Sequence, residues 1–306
     1  MNSRNRSTVT EFILLGLSSD PSVQIILFII FLVAYIASLA ANCLLILAVS
    51  VDRHLHNPMY FFLVNLSIVN LGGPSVSVPK MLLNFLYGDK SILFAGCATQ
   101  IFFSLLLGLI EGILLVFMAY DRFIAICKPL RYHMVMNRSA CTWMIAVTWT
   151  VSCVMSSADT FLLCSLTFCG PNTINHFFCV IPSLMLLSCN DNSLFDILIL
   201  FGSTALLLIP LILIIFSYYK IMASILRIQS GRYKAFSTCL SHLIVVAMFY
   251  VIATVMFMQP SSSVDDNRDK IVSVFYVVVT HLLNPLIYSL KNKDVLRAMR
   301  RLAILR

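Results

Sequence analysis

The residues best placed to do chemistry are Asp121 and Arg122, set in Tyr120-Asp121-Arg122-Phe123 at the end of a long apolar run. A carboxylate beside a guanidinium at a membrane edge is costly to place. The pair can form an ion pair and break it, and the freed guanidinium can then bind elsewhere. Glu111 is a lone carboxylate inside the same run, so it must be paired, hydrogen-bonded or protonated. Hydrolysis in a membrane would need paired acids or a His/Glu metal cluster. His242 and His281 are isolated in the sequence, and Glu111 has no acidic partner in an apolar run. There is no CxxC pair and no zinc-site spacing among the ten cysteines. These features point away from an enzyme and toward a switch.

The elements that carry these residues follow from hydropathy. The 306 residues are 60% hydrophobic and only 11% charged, with a mean hydropathy of +0.94; a soluble domain carries roughly 25% charged residues. Low-charge runs cover Pro21–Val51, Asn57–Pro79, Ser91–Tyr120, Ser139–Ala158, Ile197–Tyr219, Ala235–Val264 and Ile271–Leu290. Each holds the ~20 residues that a helix needs to cross the hydrocarbon core. The expected fold is an all-α membrane protein, a bundle of seven transmembrane helices over 21–290. A polar N-terminal tail (1–20), a long loop (159–196) and a tail at 291–306 complete it. The first run is about twice a signal-peptide core and lacks a basic cluster before it, so it reads as a retained helix.

With the N-terminus outside, 15 of the 21 Lys and Arg fall on inside segments. The positive-inside rule therefore predicts an outside N-terminus and a cytoplasmic C-terminus. That distribution also accounts for the net charge of +8 without nucleic acid as a partner. Asn5-Arg6-Ser7 is then a glycosylation sequon on the outside. Cys97, Cys169, Cys179 and Cys189 lie on the oxidising side and are available for bridges, in any of three connectivities. Cys43, Cys127, Cys141, Cys153 and Cys239 read as small buried apolar residues. The loop Asp159–Asp196 is long enough to need restraint, and Phe177, Phe178 and Leu184–Leu187 suggest that it packs into the bundle. Arg297, Arg300 and Arg301, alternating with Val295, Leu296, Leu302 and Ile304, suggest an interfacial amphipathic helix on membrane lipid.

The segment Met118–Tyr132 resembles the signature of odorant (olfactory) receptors, a branch of the rhodopsin-like G-protein-coupled receptors. Further matches are Asn42, Leu55–Leu63, Pro79–Leu82, Ser217-Tyr218, Lys234–Leu243 and Asn284–Leu290. They run through the whole chain in order, and the short third loops fit the tetrapod branch. The resemblance implies disulfides Cys97–Cys179 and Cys169–Cys189. It implies a switch at Asp121, Arg122, Tyr218, Asn284, Pro285 and Tyr288, with Pro210 and Pro285 permitting kinks. It places a ligand site at Phe103, Ser104, Leu105, Gly108, Leu109, Ser203, Leu206, Tyr250, Ala253, Thr254, Phe257, Val277 and Thr280. That wall is apolar with a few hydroxyls and suits a small, neutral, hydrophobic odorant. A stimulatory, olfactory-type heterotrimeric G protein, a rise in cyclic AMP and location in the plasma membrane of olfactory cilia are the other expectations.

The chain departs from the family at Phe123, Asn57 and Ala41, and most of all at Asn70, where an Asp is usual. At 1.5 Å per residue Asn70 lies ~18 Å from one membrane edge and Glu111 ~15 Å above Tyr120, so the two can share a layer with Asn42. The resemblance makes this a polar or sodium-binding layer, and loss of the Asp should weaken a cation there. The competing readings are a non-olfactory receptor for a small neutral ligand and a transporter. No inverted repeat and only one midplane charge speak for the latter.

Overall fold

The computed structural model describes residues 9–168, 172–189, 193–227, 232–257, 266–291 and 293–304. Seven helices long and apolar enough to cross a membrane are found among them: α1 (Pro21–Val51), α2 (Pro58–Tyr87), α3 (Phe94–Cys127), α4 (Arg138–Cys164), α5 (Ser193–Arg227), α6 (Arg232–Phe257) and α7 (Asp266–Lys291). A short α8 (Lys293–Ile304) follows.

The starts of these helices are written locally. Asp20 caps α1 by accepting from the backbone N–H of Ser22 at 2.8 Å, with Pro21 in the first turn. Asn57 and Pro58 do the same for α2, and Asn137 accepts from Ala140 N at 2.9 Å for α4. Such caps are worth ~1 kcal/mol each. α2 ends on Gly88, whose φ of 69° needs no Cβ. Most helices overrun the apolar runs, because helix formation does not stop where the hydrocarbon does. α4 thus continues through Cys164, and Asp159 is helical.

α3 sits at the centre, packed against α2, α4, α5 and α6. Leu106, Ile110 and Leu114 recur at helical spacing and are buried. The outer faces are apolar too. On α1, Ile25, Ile26, Ile29, Ile30 and Val33 are exposed, as a bilayer requires. α7 changes pitch midway. Phe275–Thr280 is π-helical, and Thr280 Oγ1 and His281 Nδ1 both reach carbonyls five residues back, at 3.0 and 2.9 Å.

The N-terminal segment is more than a tail. β1 (Glu11–Leu14) pairs antiparallel with β2 (Ser91–Leu93) and parallel with β3 (Thr173–Ile174). Phe12 and Leu14 are fully buried in a cluster with Ile101, Leu163, Ile174 and the Cys97–Cys179 disulfide. Strand alternation in Glu11-Phe12-Ile13-Leu14 puts Phe12 and Leu14 on one face and Ile13 on the other.

Candidate functional site

A cavity opens beneath this sheet. Its volume is about 90 Å³, against the roughly 10–15 Å³ that one water-sized group needs. Gly73 and Ser77 of α2 form one wall, and Ile101, Ser104, Leu105, Leu107 and Gly108 of α3 another. Asp269, Ser273, Tyr276, Val277 and His281 of α7, with Met256 of α6, face them. His176 and the run Phe178–Ser183 roof it.

The roof is fixed from several sides. Cys179 is tied to α3 by its disulfide. Gln100 clamps it again, accepting from Cys179 N at 2.8 Å while donating to Val76 O at 3.1 Å. Lys270 of α7 donates to Asn175 Oδ1 at 2.7 Å. His176 is buried, stacked on Phe177 and edge-on to Phe178. Burial, then the charge of Lys270, pushes its pKa down to about 3, so the imidazole is neutral.

Below the cavity, and reaching it through His281, lies the polar layer. His281 Nδ1 meets Tyr276 O, which can only accept, so Nδ1 carries the proton. Its Nε2 lies 3.8 Å from Glu111 Oε2. Asn284 Nδ2 donates to Glu111 Oε1 at 3.0 Å and to Asn70 Oδ1 at 3.1 Å. Asn42 Nδ2 reaches Ser38 O at 2.9 Å and His281 O at 3.3 Å. All four of Asn42, Asn70, Glu111 and Asn284 are buried. His281, isolated in the sequence, is thus a member of this layer in space; the close approach across α2, α3 and α7 has no sequence spacing to reveal it. His242 is likewise engaged, stacked on Tyr218 and bonded to its hydroxyl at 2.9 Å.

At the other end of α3 the expected Asp121–Arg122 ion pair does not form among the described residues. Consecutive helical residues point ~100° apart. Asp121 instead accepts from Tyr132 Oη at 2.8 Å. Burial, then Asp121, pushes the Tyr132 phenol up, so it stays a donor. Arg122 rests on Met59 Sδ, and its charge is felt by Tyr218, His242 and Tyr288. Tyr218 of α5, His242 of α6 and Tyr288 of α7 thus all lie within the electrostatic reach of one guanidinium. α8 buries Val295 and Ala298 and joins the α1–α2 turn through Arg301 and Asp52 at 3.3 Å.

Of the ligand residues expected from the sequence, Ser104, Leu105, Gly108 and Val277 line the cavity. Phe103 turns outward and is 42% exposed. Leu109, Ser203, Leu206 and Thr254 are half-buried away from the lining. Tyr250 and Ala253 are buried, the tyrosine donating to Gly112 O at 3.2 Å. Thr280 spends its hydroxyl on its own helix. The Phe257 side chain, Asn5 and Cys169 lie outside the described residues; Cys189 is disulfide-bonded. His176, Asp269, Ser273, Tyr276 and His281 were not anticipated as lining residues.

The arrangement matches the rhodopsin architecture. Squid rhodopsin superposes with a TM-score of 0.74 over 93% of this chain and 86% of its own, at 18% identity. A seven-helix bundle with a roofed cavity at one end and the Asp121-Arg122 pair at the other has the rhodopsin-like fold. Within that fold class, the olfactory receptor family model matches residues 31–305. Human olfactory receptor 1J4 is 44% identical over 99% of this chain and 97% of its own length. Mouse olfactory receptor 5AR1 is 46% identical over 99% and 98%. The chain belongs to the olfactory receptor family: an odorant-type G-protein-coupled receptor, multi-pass in the plasma membrane, and a signalling protein rather than an enzyme.

Proposed function

We propose that the chain binds a small, neutral, largely hydrophobic odorant in the roofed cavity and activates a stimulatory, olfactory-type G protein, raising cyclic AMP. The N-terminus and roof face outward, and Arg122 faces the cytoplasm. One observation carries the reading: His281 both lines the cavity and faces Glu111, so a ligand that moves it acts directly on the layer that Asn284 joins to α7. α7 is weakened at its π-helical stretch and at Pro285, where each departs from the regular ladder. A shift there alters the surroundings of Arg122 through Tyr288. Displacement of α6 then opens the cytoplasmic end, with basic loops and lipid-bound α8 lining it.

The layer works without a resident cation in this reading. Three of its buried oxygens make no hydrogen bond: Asn42 Oδ1, Glu111 Oε2 and Asn284 Oδ1. Only one of them is a carboxylate oxygen, and it faces an imidazole; Asn284 amide hydrogens take Glu111 Oε1 and Asn70 Oδ1. A hard cation needs a fuller set of oxygens, and these residues do not fit one.

The test is an odorant screen in cells with confirmed surface expression, read by cyclic AMP. A ligand should be found whose potency falls in Ser104→Ala. Tyr132→Phe should raise basal cyclic AMP, because it removes a hydrogen bond to a buried acid, worth roughly 1.5–3 kcal/mol. No response to a broad volatile panel, with unchanged basal signal in Tyr132→Phe, would count against the reading.

A further inference from the structure

We infer that the cavity selects an uncharged molecule carrying a hydrogen-bond-accepting oxygen, such as a ketone, aldehyde or ester, and reads that oxygen through His176 Nε2. This rests on the ligand site proposed above and names the chemistry it takes.

His176 is 3% exposed and lines the cavity from the roof. The Phe178 N–H points at its Nδ1 at 3.4 Å, so Nδ1 accepts and the proton of the neutral ring sits on Nε2. Nε2 is buried without a hydrogen bond. The Asp269 backbone faces the ring, but no bond of normal geometry closes on Nε2. Phe177 and Phe178, each 4.7 Å away by ring centroids, hold the imidazole in place. A fixed, buried donor that makes no hydrogen bond of normal geometry is a site that a well-placed oxygen acceptor completes.

Charge narrows the class. Among the described lining residues there is no Lys or Arg, so a ligand carboxylate would be buried without a counter-ion from them. Among the described lining residues the one carboxylate, Asp269, is paired with Arg268 Nε at 3.5 Å. Lys270 adds a second positive charge beside His176. An ammonium ligand meets that charge instead of a free acid. The apolar body of the ligand then lies against Ile101, Leu105, Met256 and Val277. With about 90 Å³, and roughly 10–15 Å³ for a single water-sized group, the cavity admits on the order of ten non-hydrogen atoms.

The test uses the full receptor purified in lipid nanodiscs. Ligand affinity is read from the rise in Tm for carbon-matched compounds: ketone, aldehyde and ester against alkane, primary amine and carboxylic acid. Acceptor-bearing members should bind ~10-fold or more tighter than the other three, the margin set by one hydrogen bond to a buried donor. His176→Phe should bring the ketone down to the alkane, and His176→Gln, which keeps an N–H donor, should retain most of its affinity. The unliganded Tm of each variant separates a folding defect from a lost contact. The inference is overturned if the alkane, amine or acid binds as tightly as the ketone. It also fails if His176→Phe leaves ketone affinity unchanged, or if no acceptor-bearing member raises Tm. Ketone binding that produces no cyclic AMP would leave it standing and sink the signalling reading instead.

Discussion

Gly73 lacks a side chain where His281 needs room. A Cβ built at Gly73 would overlap the Nε2 of that imidazole, which is pinned at Nδ1 by Tyr276 O and cannot rotate away cheaply. Gly73→Ala should therefore cost about 1–3 kcal/mol by overpacking. His281→Ala in the same chain should recover part of that loss. A double-mutant cycle on Tm measures the coupling, and simple additivity would show that the two positions do not share space. The sequence carried some of this site and not the rest. Helical rise was enough to put Asn70 and Glu111 at one depth, and Asn284 does bridge them. Depth along α3 was enough for Ser104, Leu105 and Gly108. Rotation about the helix was not, and Phe103, one step from Ser104, faces outward. His176 lies outside any helix or strand, where no period fixes direction, and Asp269 lies at the start of α7, ahead of the apolar run that marks this helix in the sequence.

At the scale of elements, seven helices were legible because the bilayer imposes one long apolar run on each. The three-stranded roof was not, because its strands are two to four residues long and its pairing is wholly non-local. Yet the roof positions the ligand groups. β1 holds Asn172 through Glu11 O at 3.0 Å and Ile13 N to Asn172 O at 2.8 Å, just ahead of His176. Phe12 anchors it, fully buried against Phe94 and Phe168. Phe12→Ala should cost about 3–5 kcal/mol of packing. That loss falls on the roof, since the transmembrane core is a separate cluster. Ligand affinity should drop several-fold while surface expression is kept, and hydrogen exchange should quicken at Asn172–Phe178 before it does in α3. Equal loosening of α3 would mean that the roof is not an independent unit.

For the whole molecule, the charge map and the fold make a joint statement. The end that holds Arg122, Tyr132 and α8 also holds most of the 21 Lys and Arg, while the segments of the roofed end hold more Asp and Glu than Lys and Arg. A bilayer orients such a chain with the basic end inside. The same asymmetry gives a G protein a positive surface to approach, and screening by salt should weaken that approach. In the proposed function, orientation is what joins the cavity to odorant outside and Arg122 to a partner inside, and one reversal would undo both. An epitope placed before Val9 should be stained on intact cells, and one placed after Ile304 only after permeabilisation. Because the bias is spread over three loops and α8, neutralising Arg297, Arg300 and Arg301 together should leave that pattern unchanged while weakening the hold of α8 on anionic lipid, at about 1 kcal/mol per charge. Staining of the C-terminal epitope on intact cells, in either chain, would overturn the orientation and with it the assignment of Arg122 to the signalling face.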